Sequence, residues 1–251
     1  MLVSKKNIVL AFTLLSLISS SCKKDEEPVE TNATLKMIVD TKMNGEDLVF
    51  NKNYITPGND TIQVTELKYF VTNVELVDTI ENTTIKFPDS YFLINAINSR
   101  NIKVANTNQI GSFQKIRMSI GVDSISNHTI DQFAGDLDPL GSDGMIWRWS
   151  TGYKFIRFEG RYSSSDTSDA DFIQHVGGDK LYTVLEFPLS KTIEVKDGSE
   201  KVVHMYANLE NLLSGPKIID FDNLHVGHDP LAKHPMAENW ENGFLNLDHA
   251  D

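Results

Sequence analysis

Apolar and polar residues alternate along one short run after another in this chain, and that period of two limits the fold more than any other feature. Leu35, Met37 and Val39 alternate with Lys36, Ile38 and Asp40. The same pattern returns in Ile62, Val64, Leu67, Tyr69 and Val71, and again in Ile116, Met118, Ile120 and Val122. From Tyr153 to Arg161, Phe155, Arg157 and Glu159 alternate with Lys154, Ile156 and Phe158. A strand turns successive side chains to opposite faces, so each run reads as a half-buried strand. Asn44-Gly45, Pro57-Gly58-Asn59-Asp60, Pro88-Asp89-Ser90 and Asp197-Gly198 punctuate the runs as turns, the last as a hairpin between strands at Lys191–Val195 and Lys201–Tyr206. A kink near Asn73 divides the long run from Thr61 to Val77. Residues 98–108 read as a polar loop, Asn208 as the N-cap of a short helix, and the pattern stops beyond Gly215. About ten short strands with little helix predict an all-β fold, a single-domain sandwich or barrel-like body with long loops over residues 34–251.

Residues 1–21 stand apart. Lys5 and Lys6 precede an apolar stretch, Ile8 to Ile18, too short to span a bilayer, and Ser19-Ser20-Ser21 lead to Cys22. This is a secretory leader whose end resembles a bacterial lipobox, with Cys22 as the lipidated residue and residues 22–33 as a charged, flexible tether. The expected location is the cell envelope, as an outer-membrane lipoprotein on its periplasmic face or at the cell surface, held by the lipid anchor alone. Cys22 is the one cysteine, so the domain has neither a disulfide nor a thiolate metal ligand. The formal charge is −12, and −14 once Lys5 and Lys6 leave with the leader. Such a chain repels nucleic acid.

The stretch from Pro139 to Gly160, PLGSDGMIWRWSTGYKFIRFEG, holds two of the three tryptophans as Trp147-Arg148-Trp149, on a loop or short strand leading into a core strand. Packing alone is an ordinary use for two indoles. WRWSTGYKFIRFEG, with the earlier IRMSIGVDSISNH and the later FIQHVGGD, resembles the MbnP-like family of periplasmic copper-binding proteins, over most of the chain from about Thr34. The resemblance implies a Trp-x-Trp motif whose first tryptophan, here Trp147, is oxidised to kynurenine by a partner di-haem enzyme of the MauG and cytochrome c peroxidase kind. It also implies that Cu(I) binding depends on that change. Trp149 is then a structural neighbour or an electron relay.

Candidate ligands follow. His225-Val226-Gly227-His228 places two imidazoles three residues apart, and imidazole suits copper and zinc alike. With Gly227 freeing a turn, the two rings would converge on one ion. The resemblance adds His175, in FIQHVGGD, which reads equally as a histidine at a strand end. His234, ahead of Pro235, is a ligand or an exposed residue. Met145 offers a thioether that suits Cu(I), or fills a core gap. His204 reads as a packed histidine and His249 as a mobile one near the terminus. Asp131, Asp136, Asp138 and Asp143 form an acidic loop that a structural calcium would suit, although their spacing is not that of an EF-hand.

Gly-x-Ser-x-Gly, P-loop, His-Glu-x-x-His and dinucleotide signatures are all absent from the sequence, so a binding protein is expected rather than an enzyme. A rival reading is a surface binding module that stacks exposed Trp147, Trp149 and Trp240 on glycan or protein.

Overall fold

The computed structural model describes residues 32–98, 100–129, 135–142, 144–228 and 234–251; the leader, Cys22 and most of the tether lie outside the described residues. In chain order the strands are β1 (Ala33–Met43), β2 (Glu46–Asp47), β3 (Asn53–Ile55), β4 (Thr61–Asp78), β5 (Thr83–Lys86), β6 (Tyr91–Asn95) and β7 (Arg100–Thr107). They continue as β8 (Gly111–Ile120), β9 (Ile156–Ser163), β10 (Ala170–Val176), β11 (Thr183–Val195), β12 (Glu200–Asn208), β13 (Val226–Gly227) and β14 (Leu245–Ala250). Short helices α1 (Ser124–Asn127), α2 (Leu209–Leu213) and α3 (Pro235–Trp240) sit among them.

These strands make two mixed sheets that do not close into a barrel, so the sandwich form of the expected all-β fold is the one observed. The smaller runs β14-β12-β1-β2, with β7 also on β1; the larger runs β11-β8-β4-β9-β10-β13, with β3, β5 and β6 also on β4. In β1 buried and half-buried positions alternate without a break, which sets Leu35, Met37, Val39 and Met43 into the core. Each such side chain contributes about 1.5–3 kcal/mol when fully withdrawn from water. In β9 the same alternation buries Ile156, Phe158 and Tyr162 and turns Arg157, Glu159 and Arg161 outward. Aromatic rings lock the inner layer: Phe158 to Phe172 and Phe172 to Phe221 at 4.7 Å between centroids, and Tyr69 to Phe244 at 5.1 Å.

Some local expectations hold. Asn73 takes a positive φ of 53°, and the pairing of β4 with β8 slips between Thr72 and Glu75, so the kink is a bulge. Asn208 caps α2 by accepting from the amides of Glu210 and Asn211.

Others are corrected. Residues expected as a polar loop form β7, an edge strand antiparallel to β1; its polar side chains suit a partly solvated edge. Asp197-Gly198 is a tight turn but not a hairpin: β11 pairs with β8 and β12 with β1, so the turn passes the chain from one sheet to the other. Beyond Gly215 the chain still adds α3 and β14. Here burial overrides weak local pattern, since Trp240 and Phe244 are fully enclosed and Trp240 Nε1 donates to Thr183 Oγ1 at 2.9 Å.

Candidate metal centre

The tryptophan motif lies on a narrow turn in which Ile146 bridges to Tyr153 and the Trp147 amide donates to Gly152 O at 3.1 Å. Tyr153 ties this turn to the body: its amide donates to Asn127 Oδ1 at 2.7 Å and its hydroxyl to Leu137 O at 2.5 Å. The Trp147 indole is therefore held inward. It is 4% exposed, with Nε1 donating to Tyr153 O at 3.1 Å. Trp149 covers it from outside at 5.3 Å between ring centroids and is itself 63% exposed.

Beside this turn opens a cleft of about 550 Å³, walled by Trp147, Trp149, Lys154, Arg157, His175 and His228. His175 and His228 meet there, with Nδ1 to Nδ1 at 3.0 Å and ring centroids at 4.6 Å. Trp147 presents its ring to His175 at 6.4 Å in an edge-on arrangement. Strand pairing explains the meeting. β13 lies parallel to β10 with Ile173 opposite Val226 and Gln174 opposite Gly227, so the next step brings His228 beside His175. Position 227 has no room for a side chain: a Cβ there would stand 2.5 Å from Gln174 Oε1 and 2.7 Å from His234 Nε2.

His175 is oriented from behind. Glu159 Oε1 lies 2.7 Å from its Nε2 and also accepts from Arg157 Nε at 2.7 Å. Arg157 reaches Glu66 at 2.8 Å, and Glu66 reaches Lys68 at 2.5 Å, so charges alternate across the outer face of the larger sheet. With Glu159 accepting a hydrogen bond from Nε2–H, Nδ1 of His175 carries the lone pair that faces His228. The hydrogen bond from His175, then that from Arg157, hold the Glu159 carboxyl down at about 2 against its burial. Burial lowers the pKa of His228, helped by the charges of His175 and Lys154, so this ring is neutral at neutral pH. Lys154 is pushed down to about 8, first by burial and then by Arg157. Its ammonium donates to Gly144 O at 2.5 Å and Ile146 O at 3.0 Å and stands 5.5 Å from the Trp147 ring.

The structure thus brings together Trp147, Trp149, His175 and His228, and separates the other candidates from them. His225 and His228 do not converge, because the segment is extended. Residues three apart on a strand face opposite sides, and the exposed His225 ring stacks toward Tyr162 at 6.4 Å. His234 is buried: Nε2 meets Gln174 Oε1 at 2.9 Å and Nδ1 accepts the Met236 amide as the N-cap of α3. Both ring nitrogens are thereby engaged, and burial drives its pKa to about 4. Met145 is a core residue and does not line the cleft. Trp240 is fully buried, so of three tryptophans offered for stacking on a surface ligand only Trp149 is open. His249 is no loose terminal residue; it lies in β14 opposite a half-buried His204. Asp136 and Asp138 accept the backbone amides of Leu93 and Leu140. Asp131 and Asp143 lie outside the described residues. Sequence reasoning missed Glu159, Arg157 and Lys154. The alternation that placed Arg157 and Glu159 on one face of β9 was the available signal, but it did not say that His175 would lie across from them.

Fold and site together define an all-β sandwich carrying a tryptophan-walled cleft with a paired nitrogen donor set on the outer face of its larger sheet. The MbnP family model matches residues 32–232, and the chain belongs to that family. Among solved structures it is similar to MbnP from Methylosinus trichosporium, at 16% identity over 80% of this chain and 83% of that one, with a TM-score of 0.49. A comparison with curated protein sequences returns no match.

Proposed function

We propose that this protein captures Cu(I) at the cell envelope, with His175 and His228 as protein ligands and Trp147 as a residue made into kynurenine beside them. The observation that carries this reading is the 3.0 Å approach of two imidazole Nδ1 atoms at the mouth of a cleft walled by Trp147. Two nitrogens each about 2 Å from one ion stand about 3.3 Å apart at a tetrahedral angle, so a small splay of the rings admits it. The donor set fits copper in kind as well, since neutral imidazole is a good ligand and His228 is kept neutral. Glu159 supplies the outer hydrogen bond that ligating histidines usually have. Lys154 and Arg157 line the same cleft, and their charge favours a monovalent over a divalent guest.

The intact Trp147 indole offers only an N–H. Oxidative cleavage of the C2–C3 bond by the partner enzyme, with C2 leaving as formate and oxygen entering at C3, leaves an aryl amine and a ketone. Both are donors the indole lacks. The oxidant fits a di-haem enzyme docking outside, because Trp147 is enclosed and the ring packed over it, Trp149, is open to solvent. Trp149 is then the relay through which electrons leave. The lipid anchor at Cys22 would keep the protein at the outer membrane.

Peptide mass spectrometry on protein from copper-replete native cells, with metal analysis of the same sample, tests this. The expected result is a Trp147 peptide that has lost one carbon and gained one oxygen, with about one copper per chain. Trp149→Phe should reduce the converted fraction. An unmodified Trp147 in copper-free protein would overturn the reading.

A further inference from the structure

We infer that the smaller sheet carries a second metal site, for a divalent first-row transition ion, built from His204, His249 and Asp251. One donor atom from each lies within 4.8 Å of the other two, the one such grouping of three His, Cys or carboxylate residues among the described residues. His204 and His249 face each other across the β12–β14 pair, and their rings stack at 4.1 Å with planes 9° apart. Asp251 Oδ2 sits 3.7 Å from His204 Nε2 and 3.8 Å from His249 Nε2. All three donors therefore approach the same small volume.

A second observation points to metal rather than to a chance surface cluster. Asp248 Oδ2 lies 2.9 Å from His249 Nδ1. A carboxylate that accepts a hydrogen bond from the remote ring N–H keeps the proton on Nδ1 and leaves Nε2 as a lone pair aimed at the ion, as in carboxylate–histidine–metal arrangements. The side chains of His204, His249 and Asp251 are 28%, 48% and 70% exposed, so rotation into coordination disturbs no core packing and water can complete the shell. Two imidazoles and one carboxylate suit Zn2+ or Cu2+; magnesium and calcium prefer all-oxygen shells. The site lies in the other sheet from the Trp147 cleft, and His249 and Asp251 fall beyond the residues the family model matches. An ion here would pin β14 to β12.

The test is Cu2+ titration of the purified full chain, followed by electron paramagnetic resonance and by thermal melting. Wild type should bind one equivalent with a two-nitrogen signature, and Cu2+ at a hundred times its Kd should raise the melting midpoint by roughly 5–10 °C. A His175→Ala/His228→Ala double variant should keep both effects. A His204→Gln/His249→Gln double variant should lose the two-nitrogen signal while melting normally without metal, and Asp248→Asn should weaken binding roughly 10–100-fold. A two-nitrogen signal that survives when His204→Gln/His249→Gln is combined with His175→Ala/His228→Ala, or its absence from wild type, would overturn the inference. If His204→Gln/His249→Gln proves unstable, Asp248→Asn alone decides: unchanged affinity there rejects the site.

Discussion

Glu159 accepts from His175 and Arg157 at once, so it acts on the cleft through His175 without lining it. Its depressed pKa is the sign that the folded state needs the carboxylate. Replacing it by glutamine keeps the shape and removes the charge. The orientation and tautomer of His175 then lose their anchor, and Cu(I) affinity should fall roughly 10–100-fold in a competition titration while the fold persists. A variant with unchanged affinity would mean that His175 is positioned by packing alone. Trp147 and Trp149 make the opposite pair: two positions apart in sequence and in contact, yet one is enclosed and the other open. Residue type cannot make that distinction, and the rival reading of three exposed tryptophans failed on it.

The strand is the element on which most of the sequence reading succeeded or failed. Alternation in β1 and β9 was legible because each has one face in the core, which forces a strict period of two. β7 and β14 were not legible, since one is a polar edge and the other follows an irregular stretch; only pairing to β1 and β12 defines them. The same parity rule corrects the site. His-x-x-His looks like a chelating pair if the backbone turns, but along an extended segment it sends the two rings to opposite faces. His175 finds His228 through parallel register across 53 residues, which no local motif reveals. The fit of β9 into its sheet is tight as well. A Cβ on Gly160 would stand 2.0 Å from Gln63 O and 2.7 Å from the Phe172 ring. Gly160→Ala should therefore cost about 3 kcal/mol in chemical denaturation, as an overpacked core position does. A loss below about 0.5 kcal/mol would show that β4 and β9 can part without strain.

At the scale of the whole molecule, two buried or half-buried groups contribute to how stability follows pH. His234 has a folded pKa of about 4, below its unfolded value near 6.5, because burial disfavours the charged ring. The unfolded chain takes up that proton first, so stability is full above about pH 6.5 and declines until about pH 4. Glu159 acts lower down: its contribution is present above about 4.5 and is lost as pH falls toward about 2. Melting midpoints measured across this range should fall in both windows. His234→Asn, which retains an N-cap, should flatten the upper window alone. An unchanged slope between pH 6.5 and 4 in that variant would assign it elsewhere. The sandwich itself is a scaffold: its larger sheet presents β9, β10 and β13 side by side so that a histidine pair and a tryptophan turn share one cleft, with Glu159 behind His175. The most direct measurement is a Cu(I) competition titration on protein from the native host, comparing wild type with His228→Ala and His225→Ala. His228→Ala should lose at least roughly 100-fold and His225→Ala should change within about twofold. Equal losses from both, or none from His228→Ala, would contradict a Cu(I) site at His175 and His228.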